Sequence, residues 1–172
     1  MNIKTLKFIP RYSTHIPVLL QALKLTSGDV LELGSGVFST PLLHWVCTAE
    51  KRNLLTVDND LDFYTWEKDF TNSYHKFLFV EDWDLAKIEK NWDVVLVDHS
   101  PAERRIYDIE RLLNFAKFII VHDTNFRHDH MYHYSRIYDL FLYKYTFGGV
   151  YPSTGVLSNF EDVSTFMEGS GL

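Results

Sequence analysis

Five short runs of apolar residues recur along this chain, and an acidic residue follows four of them within two positions. The runs are Val30–Leu33, Leu54–Val57, Phe77–Val80, Val94–Val97 and Phe118–Val121. Near-continuous apolar runs of this length are typical of strands that are buried on both faces of a parallel sheet. This pattern limits the chain to folds that are built around such a sheet.

Segments with the period of an amphipathic helix lie between the runs. We predict a helix over residues 13–25 capped by Ser13 or Thr14, and a second with Thr40 as its cap and Pro41 at its first position. Three more are predicted from the spacing of Phe63, Trp66 and Phe70, from a capping box at 100–103, and from Tyr134, Ile137, Tyr138 and Phe141. Strands that alternate with helices predict a doubly wound, mostly parallel sheet with helices on both faces. Two strand-like runs, 143–151 and 155–160, predict a C-terminal antiparallel hairpin.

A length of 172 residues predicts a single domain. Its parts are an N-terminal helix at 13–25, a core at 29–160 and a tail at 161–172. The net charge of −6 argues against general electrostatic binding to nucleic acid. The lone Cys47 cannot form an intrachain disulfide, and no segment resembles a signal peptide or a membrane span. We therefore expect a cytoplasmic protein without a membrane partner.

Acidic residues are concentrated where the predicted strands end. They are Glu32, Asp58, Asp82, Asp98 and Asp123, one for each strand. In open α/β sheets the ligand binds beyond the carboxyl ends of the strands. A row of carboxylates there favours a cationic ligand, a sugar diol or a divalent metal, and repels pyrophosphate.

The turn Glu32-Leu33-Gly34-Ser35-Gly36, the acid Asp58 and the pair Asp82-Trp83 resemble the class I S-adenosylmethionine-dependent methyltransferases. The resemblance extends over residues 13–160. It implies that the glycines pack against methionine and ribose, that Asp58 holds the ribose diol, that Asp82 faces the adenine amino group and that Trp83 covers the ring. The predicted cofactor contacts are Glu32, Gly34, Ser35, Gly36, Asp58, Asn59, Asp82, Trp83 and Asp98. One departure is Phe38, which stands where the family often has a third glycine.

The ends of the fourth and fifth strands are the predicted site of methyl transfer, with Asp98, His99 and Asp123 as catalytic residues. In some O-methyltransferases of this class, acids at these two places hold a magnesium ion, which is one alternative here. The other is His99 as general base, because a near-neutral pKa suits deprotonation of a hydroxyl. The expected acceptor is a small molecule, methylated at oxygen, and a homodimer is left open.

Two other functions compete with methyl transfer. Gly34-x-Gly36-x-x-Ser39 nearly matches the dinucleotide fingerprint and Asp58 lies at the right distance for an NAD ribose, although Ser39 and the acidic rim fit poorly. A non-catalytic nucleotide-binding or assembly module is the third interpretation, with Phe38 as its main support. Arg104 and Arg105 are expected to be exposed helix residues, and His15 is a candidate to close over the cofactor.

Overall fold

A seven-stranded sheet forms the centre of the computed structural model, which describes residues 9–168. Its strand order is β3-β2-β1-β4-β5-β7-β6, and β7 alone runs in the direction opposite to the other six strands. The strands are β1 Val30–Leu33, β2 Leu54–Asp58, β3 His75–Phe79, β4 Trp92–Val97, β5 Ala116–Val121, β6 Tyr143–Phe147 and β7 Thr154–Ser158. The prediction of a mostly parallel sheet with a terminal antiparallel hairpin is confirmed.

Helices cover both faces of the sheet. The α-helices are α1 Ile16–Lys24, α2 Ser39–Glu50, α3 Leu61–Glu67, α4 Arg105–Leu112 and α5 Asp129–Tyr132. Short 3-10 turns occupy Pro10–Ser13, Lys68–Phe70, Trp83–Leu85, Ala102–Arg104, Phe126–His128, Tyr134–Arg136 and Tyr138–Leu140. No helix in the part of the chain described is long and apolar enough to cross a membrane.

Alternate residues of each central strand enter two separate cores. Val95 and Val97 of β4 pack on the face that α4 covers, whereas Val94 and Leu96 pack with α1 and α2. This period of two is the geometry of a strand with apolar layers on both sides. Val163 and Phe166, in the predicted tail, belong to the second core, so the tail up to residue 168 is packed against the domain. Residues 1–8 and 169–172 lie outside the described residues.

Several predicted helix details are wrong. The helix proposed from Tyr134 to Phe141 is a pair of 3-10 turns, which follow His133 in the left-handed conformation at φ 57°. Neither Ser13 nor Thr14 caps α1, because their hydroxyls donate to Pro10 O and Arg11 O in the preceding turn. The chain after Ser100 begins with a 3-10 turn without a side-chain cap, so no capping box forms.

Candidate functional site

A cavity of about 540 Å³ opens at the carboxyl ends of the parallel strands. Its walls come from the turns after β1 and β2, from the ends of β4 and β5, and from the segment before α1. The lining residues are Tyr12, His15, Ser35, Gly36, Val37, Phe38, Asp60, Asp62, Phe63, Asp98, Ser100, Arg105, His122 and Asp123. This volume lies within the range of small-molecule sites.

The glycine turn after β1 requires a residue without a side chain at Gly34. Its φ is +88°, and a Cβ built there would lie 2.5 Å from the Cα of His99. The peptide of the next strand therefore passes directly against Gly34. The next two residues, Ser35 and Gly36, line the cavity. Gly34 thus allows the turn to pack against the His99 backbone, while Ser35 and Gly36 face the cavity.

Glu32 supports this turn from below and does not line the cavity. The carboxylate is fully buried and accepts hydrogen bonds from the hydroxyls of Thr56, at 2.7 Å, and Thr40, at 3.0 Å. Thr40 in turn accepts the N–H of Gly36 at 3.0 Å. The predicted cofactor contact at Glu32 is therefore corrected to a positioning role. The same contacts explain Thr40, which lies inside α2 and caps the turn instead of the helix.

Burial raises the pKa of Glu32 to about 7. Hydrogen bonds from neighbouring hydroxyls oppose this rise, and the charge of Asp58 adds a smaller increase. Between the ordinary value of 4.5 and about 7, the folded protein holds a proton that the unfolded chain has released. Stability is therefore lost as pH rises through this window.

We expect Glu32→Gln to remove this loss, because a neutral amide does not ionise. The free energy of unfolding of the variant, relative to the native protein, should rise by about 2–3 kcal/mol between about pH 5 and about pH 8. Urea denaturation across that range measures it, with Glu103→Gln at an exposed position as the control. His75, which contacts Thr56 at 2.9 Å, is retained in both proteins, so its titration cancels from the comparison. A parallel pH dependence in Glu32→Gln and the native protein would contradict this assignment.

The acid at the end of β2 accepts hydrogen bonds from backbone N–H groups. Asp58 accepts the N–H of Ser35 at 2.6 Å and the N–H of Asp60 at 2.8 Å, and it is not among the residues that line the cavity. Neither is Asn59, which is half-buried. Asp60 does line it, at the start of α3, where one of its oxygens accepts the N–H of Asp62. The acid of this segment that lines the cavity is therefore Asp60, two places after Asp58.

Trp83 is buried in the core, with a relative exposure of 4%. Its indole donates to the carbonyl of Ser100 at 2.9 Å, and its ring centroid lies 4.2 Å from that of His99. The neighbouring Asp82 is exposed and caps the following 3-10 turn by accepting the N–H of Asp84. Neither residue reaches the cavity, so this position does not fit the predicted adenine contacts. Phe63 is the aromatic side chain that lines the cavity at the start of α3.

Asp98 and His122 face each other across the ends of β4 and β5. Val97 pairs with Val121, so the next residues along the two strands are neighbours. The Nδ1 of His122 lies 3.2 Å from Asp98 Oδ1 and 3.5 Å from Asp123 Oδ2. Both carboxylates line the cavity, as predicted for Asp98 and Asp123. His122 is a site residue that the sequence analysis did not select.

Arg105 is the buried cation of this cluster and not the exposed residue that was expected. Its Nη2 lies 2.9 Å from Asp98 Oδ1 and its Nη1 lies 3.5 Å from Asp123 Oδ2. Its Nε donates to the carbonyl of His99 at 2.7 Å. The guanidinium also packs over the ring of Tyr132, 4.9 Å from the centroid. Arg105 therefore neutralises two carboxylates that would otherwise repel each other.

These contacts shift the pKa values of the cluster in opposite directions. Burial alone would raise the pKa of Asp98, but the charges of Arg105 and His122 outweigh it and hold the pKa well below the ordinary value. Burial alone would lower the pKa of His122, yet the Asp98 carboxylate outweighs it and raises the pKa. Asp98 is thus an anion that Arg105 stabilises most strongly.

His99 does not reach the cavity and cannot act there as a base. Its side chain lies on the other side of the chain, where Nε2 is 3.0 Å from Asp108 of α4. Burial lowers its pKa, against the opposing effect of Asp108. The structure therefore does not bring His99, predicted as a catalytic residue, to the cavity beside Asp98 and Asp123.

His15 covers the cavity from the residue that precedes α1. Its ring meets that of His122 edge-on, with centroids 4.9 Å apart. The side chain is 1% exposed, and among residues 9–168 neither ring nitrogen has a hydrogen-bond partner. Burial lowers the pKa of His15 to about 4, although Asp98 acts in the opposite direction, so the ring is neutral.

No family model and no curated protein matches the sequence. Solved structures do share its architecture. Cofactor-bound Rv0187 from MTB aligns at 14% identity and a TM-score of 0.65, over 91% of this chain and 85% of that one. The N-methyltransferase NodS from Bradyrhizobium japonicum WM9, in complex with S-adenosyl-L-homocysteine, aligns at 11% identity and a TM-score of 0.59, over 88% and 87%. The chain has a class I methyltransferase fold.

A spermidine synthase from Thermotoga maritima shares this fold as well, at 16% identity and a TM-score of 0.62. The alignment covers 91% of this chain but 62% of the synthase, which is less than two thirds of its length. A protein with that name and one named as an N-methyltransferase therefore have the same architecture. The fold by itself does not determine the group transferred or the acceptor.

Proposed function

We propose that this protein is an S-adenosylmethionine-dependent methyltransferase that acts on a small molecule, at oxygen. The observation that carries the proposal is the continuity of one cavity, which extends from the glycine turn at Ser35-Gly36 to the Asp98–His122 pair. The first end has the exposed backbone and acids that suit a nucleoside, and the second has ionisable groups for an acceptor. The fold is one in which NodS binds S-adenosyl-L-homocysteine.

The residues around the cavity fit the chemistry of S-adenosylmethionine. The cofactor carries a positive sulfonium and an ammonium group, and four of the lining residues are acids: Asp60, Asp62, Asp98 and Asp123. Anions close to such cations lower their energy, whereas the same row repels the pyrophosphate of a dinucleotide. Phe38 forms part of the wall, so its bulk narrows the cavity without closing it.

Individual residues can be assigned to each part of this cofactor. Asp60 would accept hydrogen bonds from the ribose hydroxyls, and Phe63 would pack against the adenine. The backbone of Ser35 and Gly36 would approach the methionine part, which a side chain at Gly36 would displace. S-adenosylmethionine supplies an electrophilic methyl group, which an acceptor oxygen takes as the carbon–sulfur bond breaks.

The Asp98–His122 end would hold the acceptor. Asp98 and Asp123 are fixed by Arg105, and Tyr132 donates to Asp123 at 2.9 Å. These carboxylates accept hydrogen bonds from an acceptor hydroxyl and orient its oxygen towards the methyl group. One of these carboxylates would accept the hydroxyl proton as the oxygen–methyl bond forms, and would later release it to solvent. A small acceptor is supported by the modest cavity volume and by acids that disfavour a nucleic-acid backbone.

Calorimetric titration of the native protein with S-adenosylmethionine, S-adenosylhomocysteine and NAD tests the proposal. We expect the first two ligands to bind and NAD not to bind. Asp60→Asn should weaken binding by about 1–3 kcal/mol, because ribose hydroxyls lose a charged acceptor. Asp69→Asn, in the exposed turn after α3, is the matched control and should bind normally. Binding of NAD alone, or equal affinity in Asp60→Asn and the native protein, would contradict the proposed cofactor site.

A further inference from the structure

An unpartnered imidazole lies in the wall of the cavity. His15 is almost completely buried, and both of its ring nitrogens lack a hydrogen-bond partner in the described part of the chain. Buried polar side-chain atoms in folded proteins nearly always have a partner, either protein or a bound species. Since His15 is one of the residues that line the cavity, its partner is to be sought in a bound species.

Two further ligand-type side chains meet His15 at this place. One atom each of His15, Asp98 and His122 can be chosen so that all three lie within 4.8 Å of one another. These residues come from three different parts of the fold, namely the start of α1 and the ends of β4 and β5. Ligand atoms around a tetrahedral ion are about 3.4 Å apart. The chosen atoms of the three residues are therefore at most about 1.4 Å further apart than in such a site.

We infer that His15, Asp98 and His122 bind a divalent transition-metal ion of the zinc or cobalt type. Two imidazoles and one carboxylate form a mixed nitrogen and oxygen ligand set that such ions prefer. Magnesium prefers oxygen ligands alone, so this set disfavours it. The inferred site therefore differs in ligands and in metal from a magnesium ion held by strand-end acids.

His122 is held on both sides of its ring. Asp123, itself held by Tyr132, lies 3.5 Å from Nδ1, an arrangement that orients a ligating histidine. Nε2 lies 3.0 Å from Oγ1 of Thr14, a contact that the ion would replace. Arg105 and His122 both contact Oδ1 of Asp98, and neither contact uses Oδ2. One oxygen of Asp98 thus remains for the ion while the other is fixed.

Three protein ligands leave at least one coordination position for another molecule. In metalloenzymes such an open position is typical of catalytic sites, whereas structural zinc sites are closed by four protein ligands. The three residues line the cavity, so the open position faces the space assigned above to the acceptor. This part of the inference rests on the proposed function. There the ion would bind the acceptor hydroxyl and lower its pKa, and the released proton would pass to solvent.

Cobalt binding to the metal-free full-length protein tests the site without any assay of activity. Untagged protein is treated with a chelator, dialysed and titrated with Co²⁺, whose visible absorption reports nitrogen and oxygen ligands in a low-symmetry site. We expect one Co²⁺ to bind per chain, Zn²⁺ to displace it, and Mg²⁺ in large excess to leave it bound. His15→Gln and His122→Gln should each weaken Co²⁺ binding by about tenfold or more.

His130→Gln is the matched control, because this exposed histidine lies in α5, outside the cavity. It should bind Co²⁺ as the native protein does, and circular dichroism should show all three variants to be folded. Native protein that binds no Co²⁺, equal affinity in His15→Gln, or displacement by Mg²⁺ would each overturn the inference. Titration of metal-free protein with S-adenosylmethionine separates the metal site from the proposed function. Protein that binds Co²⁺ but not S-adenosylmethionine would contradict only the proposed function.

Discussion

Replacing Gly34 with alanine is expected to lower the free energy of unfolding by about 3 kcal/mol or more. Two effects add at this position. The φ of +88° is a conformation that an L side chain rarely adopts. In addition, the new Cβ would lie 2.5 Å from the Cα and 2.6 Å from the N of His99, and these are backbone atoms that cannot move without shifting the end of β4.

Urea denaturation monitored by circular dichroism measures this loss. The matched control is Gly148→Ala in the turn between β6 and β7, where a Cβ would meet no heavy atom within 4 Å. Its free energy of unfolding should stay within about 0.5 kcal/mol of the native value. Equal stability of the two variants would show that the turn after β1 tolerates a side chain, and the close packing of β1 against the His99 peptide would be wrong.

Asp98→Asn is expected to reduce methyl transfer by about 100-fold or more, while affinity for S-adenosylmethionine changes by only a few fold. The carboxylate lies at the acceptor end of the cavity, with Arg105 at 2.9 Å and His122 at 3.2 Å. An amide keeps the shape of the side chain but loses the charge that pairs with Arg105 and the oxygen that would accept the proton of the acceptor hydroxyl. Formation of S-adenosylhomocysteine with a hydroxyl acceptor measures the rate, and calorimetry measures cofactor affinity.

Two further variants keep this prediction decisive. Loss of the Asp98 charge leaves Arg105 with fewer partners, so Asp98→Asn also carries a risk of unfolding. His122→Gln retains the Asp98–Arg105 pair and should show the same loss of rate in a folded protein. Asp82→Asn, at an exposed position outside the cavity, should retain full activity. Full turnover in both Asp98→Asn and His122→Gln would contradict the acceptor site.

The sheet could be predicted from the sequence because burial on two faces imposes a strong and local pattern. Val94–Val97 and Phe118–Val121 are unbroken apolar runs, and both lie inside the observed β4 and β5. Parallel pairing then brings the ends of the strands to one edge, which is why Asp98 and Asp123 were placed together correctly. Boundaries of the 3-10 turns were missed, since short turns depend on contacts that local spacing does not encode.

The side on which each residue lies was harder to predict. Asp98 and His99 are consecutive, yet Asp98 lines the cavity whereas His99 contacts Asp108 of α4. Val97 pairs with Val121, and this register, which the sequence does not specify, places His122 beside Asp98. Arg105 had no signal in the sequence either: its burial follows from the two carboxylates that converge on it from separate strands.

The other predicted cofactor contacts that do not line the cavity include side chains that bind backbone groups. Asp58 was selected by its distance from the glycine turn, but the N–H groups of Ser35 and Asp60 occupy its oxygens. Spacing along the chain cannot distinguish a carboxylate that binds ligand from one that holds the loop beside it. Trp83 is a similar case, because its place after an acid suggested a ring contact, whereas its indole supports the carbonyl of Ser100.

A crystal structure of the protein with S-adenosylhomocysteine tests the central claim most directly. We expect the ligand to occupy the cavity of about 540 Å³. Its ribose hydroxyls should lie within hydrogen-bond distance of Asp60, and its amino-acid part should lie against Ser35-Gly36. The sulfur should face the Asp98–His122 end, where the acceptor would lie. A ligand bound elsewhere would contradict the proposed cofactor site, and a sulfur that faces away from Asp98 and His122 would contradict the proposed acceptor site.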